Sequence, residues 1–170
     1  MRTSLVPVNL DEKIGLHISS LCPHSLGKED AQNHCAHFVS HIMNYSVGTA
    51  TCKNYTFADK QLETEGATIR VDDIFNTSSI KGLWSSKPKA LTECLVFVTL
   101  DKNISPFGSS IKMGSMSKKH IGIFTNGHVY HYGNTKNEIA CDSPDAFIRK
   151  FTGAYGKGGN SVSFYYGRFL

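Results

Sequence analysis

No run of the chain approaches the roughly 18 apolar residues needed to cross a bilayer as a helix, so a membrane-spanning helix is excluded. The first ten residues are interrupted by polar side chains and Pro7 and contain no secretory hydrophobic region. The expectation is a protein that is cytoplasmic in its producer or exported by a signal-independent route. None of the five cysteines, at 22, 35, 52, 94 and 141, has C-x-x-C spacing, which excludes a zinc ribbon and a thioredoxin motif. Their odd number leaves at least one thiol free in a monomer. Basic residues exceed acidic ones by only 18 to 14, and Lys118-Lys119 and Arg149-Lys150 are the only doublets. Without a basic stripe there is no case for a nucleic-acid partner. Internal repeats and low-complexity tracts are also absent.

What remains is the composition of a folded domain. With 170 residues, 40% hydrophobic and 19% charged, the chain suits one catalytic-sized domain over 1–170, expected to be monomeric.

The pattern along the chain predicts an α+β layout. Residues 1–10 read as extended, and Ile14, Leu16 and Ile18 alternate with polar or small neighbours, as in a short strand or an irregular packing segment. Phe57 to Leu62 reads as a helical turn ended by Gly66, and Ala67 to Val71 as a strand running into a short helix. Cys94 to Leu100 is a continuous apolar run, expected to be a central strand buried on both faces. Asp101 to Lys119 is long for a hairpin connection and reads as a surface loop or a lid. Glu138 to Cys141 reads as a strand. Ser143-Pro144-Asp145 opens a helix that Gly153 should end, and Val162 to Phe169 reads as a closing strand. Trp84 is assigned to packing.

The stretch from Gln32 to Met43 carries the first chemical signal. Apolar residues at 35, 36, 38, 39, 42 and 43 recur at helical spacing, with Gly48 as a stop beyond them. If Asn33 is the N-cap, Cys35 lies in the first turn, where the helix dipole and free amides favour thiolate. If Asp30 is the cap, Cys35 sits a turn deeper and gains less.

The second signal is a hairpin. His120 to Thr125 and His128 to Tyr132 are separated only by Asn126-Gly127, a strong marker of a two-residue turn. That turn pairs Thr125 with His128, Gly122 with His131 and His120 with Gly133. Side chains alternate faces along a strand, so His120 and His131 share a face as diagonal neighbours, roughly 7–8 Å apart at Cα. Gly122 leaves room for His131. A cysteine nucleophile needs an imidazole to take its proton and a second polar group to orient that ring. Cys35, His120 and His131 are the candidate nucleophile, base and orienting group. His17, His24 and His128 receive no role, and Cys22, Cys52, Cys94 and Cys141 are expected to be structural.

Asn33-His34-Cys35-Ala36-His37-Phe38-Val39, His120-Ile121-Gly122-Ile123-Phe124 and Val129-Tyr130-His131 together resemble the NlpC/P60 and CHAP superfamily of papain-like hydrolases. The resemblance covers about half the chain. It implies a nucleophile-bearing helix packed on a mostly antiparallel sheet, with Cys35, His120 and His131 as the catalytic set. It also implies an amidase or endopeptidase acting on peptidoglycan peptides through a thioester, without cofactor or metal. Members often carry Asp-Cys-Ser-Gly where this chain has His34-Cys35-Ala36-His37, and the long separation of Cys35 from His120 implies an insertion over the cleft. The missing signal peptide is similar to that of amidase toxins injected by a type VI apparatus, for which an inhibitor protein would be a partner.

Three other readings compete. Asn-Cys-x-His-Phe-Val is similar to the lecithin retinol acyltransferase-like family, an acyltransferase or thioesterase using the same pair, although that family places its His strand before its Cys. His37 and His41, four apart on a helix, could hold a transition metal with Cys35 or another ligand. A binding module that kept the fold without the activity is the last. In the leading reading the backbone N–H of Cys35 holds the oxyanion, with Gln32 or Asn33 contributing.

Overall fold

The computed structural model describes residues 3–55 and 66–170. The expected helical turn at 57–62 lies outside the described residues. Three helices, α1 (Cys35–Met43), α2 (Val71–Thr77) and α3 (Pro144–Tyr155), pack on a sheet, so the chain is α+β. The strands are β1 (Lys81–Leu83), β2 (Cys94–Leu100), β3 (Ile104–Phe107), β4 (Ser110–Met113), β5 (Lys119–Thr125), β6 (His128–Gly133), β7 (Glu138–Asp142) and β8 (Val162–Gly167). Six of them form one antiparallel sheet in the order β1-β8-β2-β5-β6-β7, and β3-β4 form a separate hairpin.

Strand β2 sits inside that sheet with all seven residues buried, as its unbroken apolar run requires. Alternation along it feeds two cores. Leu95 and Phe97 join Ile121, Ile123, Tyr130 and Tyr132 under α1 and α2, while Val96 and Val98 join Val129 under Phe147 and Phe151 of α3. The sheet is therefore covered on both faces. Phe38 and Val39 anchor α1 with no exposed surface, and a fully buried Phe or Val contributes about 1.5–3 kcal/mol.

Several local expectations change. Helix α1 stops at Met43, five residues before Gly48, because Asn44 adopts the left-handed conformation (φ 58°) and its N–H returns to the carbonyl of Ser40. Helix α3 runs through Gly153 to Tyr155, whose ring packs on Phe151 at 5.4 Å and holds the last turn. Of the two readings of Ile14 to Ile18, the irregular packing segment is the one observed: short 3-10 turns flank it at Leu10–Lys13 and Ile18–Ser20. Gly15 and Leu16 nevertheless exchange backbone hydrogen bonds with Ile139 of β7. The 101–119 segment is no plain loop, since β3 and β4 pair within it, and Asn76 of α2 bonds both backbone groups of Met113.

Candidate active site

Strands β5 and β6 meet through Asn126 (φ 52°) and Gly127 (φ 75°), two consecutive left-handed residues as a type I′ turn demands. The register follows, with Thr125 opposite His128 and Gly122 opposite His131. His120 and His131 share the face under α3, and Nε2 of His120 lies 3.0 Å from Nδ1 of His131. A Cβ at Gly122 would fall 3.2 Å from Cβ of His131 and 2.8 Å from Cγ1 of Val129, so glycine is what admits the second ring.

The ladder does not continue to His120 and Gly133. Beyond Gly122–His131 the strands part, and Tyr132 and Gly133 pair only with Ile139 and Glu138 of β7. Cys35 comes to that parting from the opposite face. It is the first residue of α1, preceded by His34 as cap. Asn33 still helps to close the helix start, because its Oδ1 accepts the N–H of Cys35 at 3.0 Å. The N–H of His34 donates to Oδ1 of Asn134 in the β6–β7 turn, tying the helix tip to the sheet.

The sulfur of Cys35 lies against the backbone N–H of Ile121, next to His120, and against those of Ala36 and Cys35 itself. Tyr155 of α3, whose hydroxyl burial pushes up, is raised further by that sulfur. Tyr155 packs on Phe151, which stacks on His120 at 4.3 Å. Ile121, the chain neighbour of His120, is thus the β5 residue whose backbone meets the Cys35 sulfur. Among the described residues no hydrogen bond joins Sγ of Cys35 to either ring.

The expected thiolate does not hold in this closed state. Burial pushes the Cys35 thiol up to about 11, and the three amides and Lys119 only partly oppose it. At 2% exposure, the cost of an unsolvated anion outweighs the helix terminus. Burial likewise holds His120 well below the ordinary imidazole value, helped by His131 and Lys150. His131 is also lowered by burial, against the pull of Asp142. Thiol and imidazoles rest neutral.

Asp142 is the residue that the sequence reading missed. Its Oδ2 lies 2.7 Å from Nε2 of His131 and 2.6 Å from Nζ of Lys150. Burial raises its carboxyl, but Lys150 and His131 together bring it below its ordinary value, so it is ionised. A carboxylate only accepts, which fixes every proton in the row. Nε2 of His131 donates to Asp142, Nδ1 of His131 accepts from Nε2 of His120, and Nδ1 of His120 keeps its lone pair. Among the described residues that Nδ1 makes no hydrogen bond. The register could have located Asp142: with Gly133 opposite Glu138, residue 142 falls opposite 129 and shares the face of His131.

Beside Cys35 lies a cavity of about 340 Å³ whose lining includes Gln32, Asn33, Arg70, Ser117 and Lys119. Lys119 is partly neutralised by Asp72 of α2 at 3.3 Å. His17 and His128 remain outside this arrangement: His17 caps a 3-10 turn and faces Asp30, and His128 bonds the carbonyl of Asn126. Compared with protein-family models, with curated proteins and with solved structures, the chain matches none.

Proposed function

We propose that the protein is a cysteine hydrolase of the papain-like NlpC/P60 type that cleaves amide bonds in peptidoglycan peptides. The observation that carries this reading is the row His120–His131–Asp142, whose protons are ordered so that one uncommitted imidazole lone pair remains on His120, the strand neighbour of Ile121, whose N–H meets the Cys35 sulfur at the tip of α1. Attack begins from a neutral pair. As Sγ of Cys35 bonds to the substrate carbonyl carbon, its proton passes to Nδ1 of His120, and the imidazolium is stabilised through His131 by the Asp142 carboxylate. The proton then leaves on the departing amine, giving a thioester. Water, activated by the same Nδ1, releases the acid and restores the thiol. The Asp142 charge makes the protonated row more favourable in the transition state than at rest.

The cations beside Cys35, Arg70 and Lys119, favour a substrate bearing carboxylates, as peptidoglycan stem peptides do. The test incubates purified sacculi with wild type and with Cys35→Ala, and identifies released fragments by mass spectrometry. New amine termini from wild type alone are expected. Intact sacculi with both proteins would overturn the reading and move attention to acyl transfer.

A further inference from the structure

Behind the nucleophile, on the buried flank of α1, lies a second cluster with its own chemistry. Cys22, His37, His41 and Cys52 each offer one ligand atom, and these atoms all lie within 4.8 Å of one another. They come from three separate pieces of chain: the turn after the Ile18–Ser20 3-10 segment, successive turns of α1, and the loop after it. Cys22 and Cys52 are each 1% exposed and form a small core with Leu26. Both are free thiols.

The spacing is that of a tetrahedral site. With Zn–S of about 2.3 Å and Zn–N of about 2.0–2.1 Å, ligand atoms around zinc stand about 3.3–3.8 Å apart. Nε2 of His37 and Nε2 of His41 are 3.2 Å apart, and Sγ of Cys52 is 3.9 Å from Nε2 of His41. Small adjustments close the remaining gaps.

A row of hydrogen bonds aims His37 at the cluster. The carbonyl of Glu29 can only accept, so Nε2 of His34, 2.9 Å away, donates to it. In the neutral ring Nδ1 of His34 then accepts from Nδ1 of His37 at 3.1 Å. That leaves the lone pair of His37 on Nε2, which faces His41 and Cys52. Both rings are fully buried, where the neutral form is favoured. A metal-bound imidazole is commonly oriented in this way, through its other nitrogen.

We infer that Cys22, His37, His41 and Cys52 form a structural Zn²⁺ site that fastens α1 to the segments on either side of it. Binding displaces the two thiol protons, and two thiolates balance the charge of the ion, so the buried complex is neutral. Four protein ligands leave no open position for substrate or water, which separates this site from hydrolysis at Cys35. The two thiolates with two imidazoles select zinc over magnesium or calcium, which prefer oxygen. The adjoining cavity of about 310 Å³, lined in part by Ser40, His41 and Cys52, supplies an entry path.

The full chain is purified under reducing conditions without chelator, and bound metal is measured by elemental mass spectrometry. About one zinc per chain is expected, retained in Cys35→Ala and Cys141→Ser and lost in Cys52→Ser. Because Cys52→Ser could fail for want of folding, Co²⁺ is also added to metal-stripped wild type. Thiolate-to-cobalt charge transfer in the near ultraviolet and intense tetrahedral bands in the visible are expected, and His41→Gln should weaken or shift them. A metal-free reduced protein that gives no such bands with Co²⁺ would overturn the assignment. So would an intact mass showing Cys22 and Cys52 joined as a disulfide in the protein as isolated.

Discussion

Nε2 of His120 and Nδ1 of His131 stand 3.0 Å apart, and the Asp142 carboxylate beyond them decides which atom carries each proton. Nitrogen-15 spectra at neutral pH should show both rings protonated at Nε2 and bare at Nδ1. Asp142→Asn removes the charge and can present an amide donor to His131, reversing the row. Its kcat is expected to fall about 10²-fold or more, with a smaller change in KM, since the lost interaction matters most when His120 is charged. Unchanged kcat with unchanged tautomers would show that the row takes no part in turnover.

Because burial holds the Cys35 thiol up, its reactivity in the absence of substrate should be low. Alkylation by iodoacetamide is expected to rise with an apparent midpoint near 11 rather than the ordinary value of 9.0. The Cys35 sulfur helps to hold the Tyr155 hydroxyl up, so that phenol is still neutral as the thiol ionises and adds no charge to oppose it. Tyr155→Phe should therefore leave the alkylation midpoint near 11. A midpoint below 8 in wild type would mean that the thiolate is preformed and that His120 rests as its ion-pair partner.

The two buried histidines of the row make stability depend on pH in one direction. Burial lowers His120 and His131 below the free value of 6.5. The unfolded chain therefore binds more protons than the folded one as pH drops below 6.5. The stability contributed by keeping these rings neutral is fully present above pH 6.5 and is lost as pH falls from there through the folded values. Thermal melts from pH 8 to pH 4 should show a plateau followed by a falling Tm. A Tm that stayed level down to pH 5 would contradict the neutral assignment.

Gly122 is a sharper probe of the hairpin. A Cβ there would meet the carbonyl oxygen of Tyr130 at 3.0 Å as well as Cγ1 of Val129 and Cβ of His131. The first of these is backbone and cannot swing aside. Gly122→Ala is expected to cost about 1–3 kcal/mol, as overpacked core sites do, and to weaken the His120–His131 bond. Denaturant unfolding and hydrolysis of sacculi should fall together.

How much of this could be read from the chain depended on how local each signal was. The hairpin was legible because two left-handed residues fix a register, and the register fixes faces; His120 and His131 follow by arithmetic. The start of α1 was narrowed to Asn33 or Asp30, and the structure places the cap between Asn33 and Cys35. The resting charge of Cys35 is not legible, because it depends first on burial and then on Ile121 and Lys119, which are remote in sequence. Cys22 and Cys52 were set aside for the same reason. They meet His37 and His41 only once three segments have packed, and no short motif links them. The extent of α3 is not a local property: Gly153 signals a stop, but the packing of Tyr155 on Phe151 carries the helix past it.

Asn33 separates capping from catalysis. Its Oδ1 already holds the N–H of Cys35, the amide expected to receive the oxyanion, so that donor is engaged at rest. Asn33→Ala leaves an orphan amide at the helix start and should cost about 1 kcal/mol in denaturant unfolding. Asn33→Asp keeps the acceptor and adds a charge that suits the helix N-terminus, so stability should hold or rise. Beside the cavity that Asn33 and Cys35 share, however, that charge opposes both the thiolate and the negative oxygen of the tetrahedral intermediate. For Asn33→Asp kcat is therefore expected to fall about 10²-fold, the scale of losing one oxyanion donor. If Asn33→Asp matched wild type in both stability and turnover, the oxyanion would have to form away from the N–H of Cys35, and the helix tip would serve only to position the sulfur.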